Sequence, residues 1–167
     1  MKKKIVYFTI LITLFGTILT GCSDKEVKQN NNTEKNQEQV FSLTYDHMNI
    51  ELGSEFKVEK YGKENSYSEI ESCAFEGLDK TYTYDHYEIY TYPENEKDYI
   101  LSIYFLDEEI ETTEGIKISD TYEDMTKTYG EDFKKEDNLY TYTKGKTNLK
   151  FIIENDFITS IEYTYDV

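Results

Sequence analysis

The sequence predicts an α+β fold: two tandem units, each a short helix followed by an antiparallel meander, together forming a sheet with the short helices on one side. Three observations carry this reading. From Val40 onward, short segments alternate apolar and polar side chains with the two-residue period of strands, and turn-forming residues separate them. Two stretches have helical character, and each stops at a Tyr-Gly pair, Tyr61-Gly62 and Tyr129-Gly130. Finally, three blocks recur in the same order across residues 40–108 and 109–167.

In chain order, Met1 is followed by Lys2-Lys3-Lys4. An apolar run from Ile5 to Leu19 comes next, broken only by Thr9, Thr13, Gly16 and Thr17. A basic start, a short apolar core and a small-residue exit are the parts of a secretory signal peptide. The run falls short of the roughly 20 residues of a membrane-spanning helix, so a transmembrane anchor that stays attached stands only as the alternative to a cleaved signal. It ends in Leu19-Thr20-Gly21-Cys22, which resembles the lipobox of bacterial lipoproteins. That resemblance implies diacylation of Cys22, removal of residues 1–21, and a protein held on the outer face of the cell membrane. Two acyl chains anchor stably where one does not. The stretch Ser23–Gln39 is polar with a single valine, and cannot offset the entropy of folding. Residues 22–39 are therefore expected to be a lipidated cysteine and a disordered tether, reaching roughly 20–25 Å as a flexible coil.

With Cys22 acylated, Cys73 is the one remaining thiol, and its neighbours Ala74 and Phe75 point to a buried structural role. The chain contains 18 lysines, no arginine and 34 acidic residues. Beyond residue 21 this leaves 15 lysines against 34 acids, a net charge of −19. Such a field repels nucleic acid and excludes it as a partner. Lysine without arginine, with abundant Asn, Ile, Tyr and Glu, resembles the coding of low-GC Gram-positive bacteria, so the acidity alone is no sign of function.

In the first unit, residues 40–108, a helix is expected over about Ser54–Tyr61, stopping at Gly62. A strand over Glu88–Tyr92 leads into a turn at Pro93-Glu94-Asn95-Glu96, and a second strand follows over Tyr99–Phe105. In the second unit, residues 109–167, Thr121-Tyr122-Glu123-Asp124 fits a capping pattern. Tyr122, Met125 and Tyr129 then share one helix face, and Gly130 supplies a left-handed stop. A three-stranded meander follows over Leu139–Thr143, Leu149–Ile153 and Ile158–Tyr165, turning at Lys144-Gly145-Lys146 and Glu154-Asn155-Asp156. The recurring blocks are Ile50–Phe56 with Lys60–Glu64 against Ile116–Tyr122 with Thr128–Asp132, then Thr81–Tyr84 against Leu139–Tyr142, then Tyr99–Phe105 against Phe157–Tyr163. The last two share an offset of 58 residues. The first unit carries about ten more residues, around Ser66–Gly77.

A short helix, a Tyr-Gly stop and a meander closing on a Ser-Ile-x-aromatic strand, in tandem, look like β-lactamase-inhibitor-protein-like architecture. The resemblance covers Val40–Val167. It implies helices on one side of a continuous sheet and a concave opposite face that binds other proteins. No functional residue carries over with it.

Catalytic signatures are missing from the sequence: no nucleophile elbow, no His-Glu-x-x-His, no phosphate-cradling loop and no Cys-x-x-Cys. His47 and His86 each close a Tyr-Asp-His triplet, Tyr45-Asp46-His47 and Tyr84-Asp85-His86. Together they would offer two imidazoles and two carboxylates to a metal; the plainer reading is two surface turns, and neither metal nor cofactor is expected. Paired acids such as Glu108-Glu109, or Glu111 and Glu114, have the chemistry of a glycosidase pair. In so acidic a chain, solvated faces explain them better. The abundant tyrosines are the more specific feature, because Tyr gives large contact area at little rotamer entropy. Tyr90, Tyr92, Tyr104, Tyr142 and Tyr163 are the candidate contact residues. The sequence thus points to a non-enzymatic, lipid-anchored module that binds an envelope or secreted protein. Two alternatives stand beside it, a glycan-binding or wall-active lipoprotein and a self-associating structural component of the envelope.

Overall fold

The computed structural model describes residues 40–167. The expected signal peptide, Cys22 and the tether lie outside the described residues.

The described chain is mostly antiparallel sheet with two short helices. A hairpin comes first, β1 (Ser42–Tyr45) and β2 (Met48–Glu51), in which Leu43 faces Ile50 and both are fully buried. Its two-residue turn is Asp46-His47, with φ of 46° and 62°; both central residues of a type I′ turn take positive φ. Helix α1 (Val58–Tyr61) follows, then β3 (Ser66–Glu71), β4 (Leu78–Thr83), β5 (Tyr87–Glu94) and β6 (Lys97–Phe105). Helix α2 (Tyr122–Tyr129) leads to β7 (Lys134–Glu136), β8 (Leu139–Lys144), β9 (Thr147–Glu154) and β10 (Phe157–Tyr165). One sheet of eight strands takes the order β3-β4-β5-β6-β10-β9-β8-β7. Each meander runs from an outer edge inward, and the two meet where β6 pairs β10 through Tyr104 opposite Glu162 and Ile103 opposite Tyr163.

The core lies on one face of this sheet. Tyr87, Ile89, Ile103, Phe105, Ile161, Tyr163, Leu149 and Phe151 alternate onto it along four adjacent strands and are nearly or wholly buried. Both helices and the hairpin cover that same face. Phe56 stacks on Tyr61 of α1 and packs against Tyr82 at 4.3 Å. Tyr122 and Tyr129 of α2 meet Tyr140 and Phe151 at 5.5 and 5.6 Å, with Met125 fully buried between them along the helix. Phe41 and Tyr45 bring the hairpin against Tyr163 and Tyr87. Some hydroxyls of this tyrosine-rich core are satisfied at its rim, as where Tyr142 donates to the Gly130 carbonyl at 2.7 Å, whereas those of Tyr61, Tyr84 and Tyr163 are covered without a well-formed hydrogen bond among the described residues.

Helix α2 forms as its sequence specifies. The Thr121 hydroxyl accepts from the Asp124 N–H and the Asp124 carboxylate accepts from the Thr121 N–H, each at 3.1 Å. The stops differ from expectation in detail. Gly62 and Gly130 have φ/ψ of 81°/−166° and 81°/−170°, an extended region essentially restricted to glycine rather than the left-handed helical one. A Cβ at Gly130 would meet nothing within 4 Å. Gly130→Ala is therefore expected to act through backbone strain alone, costing about 1–3 kcal/mol in a denaturation midpoint. A change near zero would place the role of Gly130 elsewhere.

Other boundaries also move. The first helix spans Val58–Tyr61, not Ser54–Tyr61, because Gly53–Phe56 extends along β6 instead: Gly53 N–H donates to Ile100 C=O, Ile100 N–H to Ser54 C=O, and Phe56 N–H to Asp98 C=O. Pro93 stands inside β5 opposite Asp98, and the turn is only Asn95-Glu96, with φ of 50° and 61°. Ser66–Gly77, expected as extra length, is strand β3 and its loop to β4. Strands β1, β2, β3 and β7 were not expected from the sequence. Two bulges interrupt the ladders, one leaving Leu101 unpaired in β6 and one leaving Thr159 unpaired in β10.

Candidate functional site

The second face of the sheet is the candidate site. Register assigns its residues in rows that run across the strands. One row reads Ser66, Thr83, Glu88, Tyr104, Glu162, Lys150, Thr141, Lys134, crossing all eight strands. The next reads Ser68, Thr81, Tyr90, Ser102, Thr164, Asn148, Thr143. Hydroxyls dominate, with a narrow band of carboxylates and one lysine at the centre. Among the described residues neither helix nor the hairpin packs here, and most of these side chains are half-buried.

At the centre the polar groups are organised. The Tyr90 hydroxyl donates to Glu88 Oε2 at 2.6 Å, and Thr83 Oγ1 donates to Glu88 Oε1 at 2.9 Å. Tyr104 stands in register between Glu88 and Glu162. Burial, then the hydrogen bond to Glu88 and the nearby carboxylates, pushes the Tyr90 pKa up to about 12, so its hydroxyl stays a donor throughout the physiological range. Lys150 lies 3.9 Å from Glu162, with both side chains about one-third exposed, an ion pair of small energy that fixes local charge order.

The five candidate tyrosines separate. Tyr90 and Tyr104 are neighbours on this face and remain half-exposed. Tyr92 lies under Phe75 and beside Tyr99 at 4.9 and 5.8 Å and is buried. Tyr142 and Tyr163 point into the core, because their strand positions fall on the opposite parity. A buried ring presents no contact area, so Tyr92, Tyr142 and Tyr163 are packing residues and the candidate pair is Tyr90 with Tyr104. Cys73 is a further correction: it is exposed in the β3–β4 loop, not buried. The Ser72 hydroxyl accepts from the N–H groups of Ala74 and Phe75, turning the loop so that Phe75 makes the apolar contact and Cys73 faces water.

The two Tyr-Asp-His triplets come near each other without forming a metal centre. Tyr45 packs on His86 at 6.2 Å, but His47 sits on the hairpin turn and His86 Nδ1 pairs with Asp107 at 2.9 Å. Among the described residues no group of three or more His, Cys, Asp or Glu side chains is placed to hold a metal ion. Glu108, Glu109, Glu111 and Glu114 are solvent-facing; Glu114 accepts from the Tyr129 hydroxyl, and Glu108 from Ser119.

The His86–Asp107 pair makes a pH prediction. Its hydrogen bond raises the His86 pKa and lowers that of Asp107. The histidine contribution is full below the ordinary value near 6.5 and lost as pH rises through the raised one. The aspartate contribution holds above the ordinary carboxylate range and fades as pH falls through the lowered one. Both side chains are roughly a third exposed, so water screens the pair and the stability effect is small. An NMR titration of His86 should give a pKa above 6.5 that returns to the ordinary value in Asp107→Asn; an unchanged titration in the variant would dissolve the pair.

No helix among the described residues is long and apolar enough to cross a membrane. No protein-family model, curated protein or solved structure matches the chain.

Proposed function

We propose that the protein is a lipid-anchored, non-enzymatic binding module of the cell surface, tethered through Cys22 and engaging an envelope or secreted protein with the uncovered sheet face. The observation that carries this is the half-exposed Tyr90–Tyr104 pair at the centre of that face, held by Glu88 and flanked by rows of hydroxyls. Rigid tyrosines with a polar surround are the residues that give protein contacts area and hydrogen bonds at low entropy cost. The net charge of −19 beyond residue 21 favours a cationic partner and speeds its encounter.

The finer architecture we infer is a tandem repeat of the β-lactamase-inhibitor-protein-like kind. Several coincidences support it. The 58-residue offset that aligns Tyr99–Phe105 with Phe157–Tyr163 carries the bulged Leu101 onto the bulged Thr159. It also aligns Tyr104 with Glu162, the very pair that meets at the β6–β10 junction, as a two-fold relation between units requires. Gly62 and Gly130 end the two helices in the same rare backbone conformation.

The test is affinity capture with the immobilised protein from envelope extract and culture medium of the producing cell. One dominant protein should be retained by the wild type and lost in Tyr90→Ala and in Tyr104→Ala, each checked for folding by circular dichroism. Recovery of wall glycan alone would move the function to the glycan reading, and a concentration-dependent dimer with nothing else bound would move it to self-association.

A further inference from the structure

On the face that no helix of the described residues covers, between β3 and β6, lies a depression of about 240 Å³ whose walls include Ser68, Ile70, Asp79, Thr81, Tyr90 and Leu101. Small-molecule sites run from roughly 300 to 1,000 Å³, so this one admits a single extended side chain rather than a folded ligand. Its apolar wall is unusual for its position. Ile70 is 68% exposed, the most exposed large hydrophobic residue among those described, and it stands directly opposite Asp79 in the strand ladder. Leu101 reaches the depression because it is the bulged residue of β6.

Asp79 supplies the chemistry. Its Oδ1 is covered from solvent and has no hydrogen-bond donor among the described residues. A buried carboxylate oxygen without a donor or a cation is costly. Lys80 also lines the depression, but its ammonium is held by Asp98 at 2.7 Å, so it is turned to that partner rather than to Asp79. Glu69, also on the wall, accepts from the Tyr67 hydroxyl and adds negative charge. The site is therefore a short trough with an apolar wall, ending at the half-buried Asp79 carboxylate, whose covered oxygen accepts no hydrogen bond among the described residues.

We propose that this depression receives a lysine side chain of the protein partner, its aliphatic stem on Ile70, Leu101 and Tyr90 and its ammonium at Asp79. Lysine fits better than arginine. With Oδ1 covered, only one carboxylate oxygen is approachable, which suits a point charge and defeats the bidentate fork of a guanidinium. The inference rests on the reading of this face as the binding face, and it names the chemistry of the anchor residue.

The test is an NMR titration of the ¹⁵N-labelled full chain in detergent with N-acetyl-lysine amide, N-acetyl-arginine amide, N-acetyl-norleucine amide and glucosamine. The lysine probe is expected to give saturable shifts at Ile70, Asp79, Tyr90 and Leu101, with about ten-fold weaker response to the norleucine probe, which keeps the stem and lacks the charge. Asp79→Asn should remove that preference and leave distant cross-peaks in place; Ile70→Ser, an exposed edge substitution, should weaken both probes. Equal response to lysine and norleucine, a lysine preference that survives Asp79→Asn, tighter binding of arginine or glucosamine, or no saturable shift would each overturn the proposal. A partner captured through Tyr90 and Tyr104 without any lysine preference would retain the face and eliminate the trough, so the two readings fail separately.

Discussion

Tyr163→Ala is expected to cost about 3–5 kcal/mol, whereas Tyr163→Phe should leave stability unchanged or raise it by up to about 1 kcal/mol. Tyr163 is fully buried at the junction of the two meanders, opposite Ile103 on β6 and Leu149 on β9. Its ring meets Phe105 at 6.0 Å and Phe41 at 6.4 Å, so one side chain ties the central strands to the chain entering the first hairpin. Truncation leaves a cavity where sheet and hairpin both converge, and neither can collapse without breaking the β6–β10 ladder. Against a total of roughly 5–15 kcal/mol for a domain, that loss removes a large share of the stability. The hydroxyl is a different matter. It is buried and makes no hydrogen bond of good geometry among the described residues, although the Thr112 and Tyr129 hydroxyls and the Thr113 backbone stand beside it, so deleting it removes a largely desolvated polar group at little loss of packing. Urea denaturation of the two variants separates the terms; a Phe variant as unstable as the Ala variant would show that the hydroxyl, not the ring, is what the junction needs.

The same parity rule explains what could be read from the sequence. The meander of the second unit and helix α2 were legible because each local signal agreed with the next: the Thr121/Asp124 box, the Tyr122–Met125–Tyr129 face, and turns at Gly145 and Asn155-Asp156. The strands β3 and β7 were not, since SYSEIE and KKE are fully exposed edge segments with no buried stripe to give a period. The first helix was overextended because Gly53–Phe56 is captured by β6, a long-range pairing that no local window contains. Tyrosine's face was also hidden. Tyr104 and Tyr163 both sit in aromatic, alternating strands, and only the sheet register shows that one faces out and the other in. For Asp79, a lone carboxylate among 34 acids carries no signal until its oxygen is seen covered beside Ile70.

Cys22→Ala is expected to abolish fatty-acid labelling of the protein and shift it from the membrane fraction to the medium. The argument is one of lengths and chain counts. The apolar run before Leu19-Thr20-Gly21-Cys22 is shorter than the roughly 20 residues that span a bilayer, and no helix among the described residues can cross one. The net charge of −19 beyond residue 21 repels anionic headgroups, so surface electrostatics give no second hold. With the anchor proposed above, attachment would rest on the acyl chains at Cys22. At about 0.8 kcal/mol for each buried methylene, two chains hold firmly, while a single myristoyl-length chain gives only reversible binding. Losing the acceptor thiol removes both chains at once, and the change from bound to released should be nearly complete rather than graded. The readout is metabolic labelling with a fatty acid alongside membrane fractionation and intact mass. An unlabelled variant that stays with the membrane would overturn the anchor. A labelled wild type with a mass matching residues 22–167 plus a diacylglyceryl group would establish it.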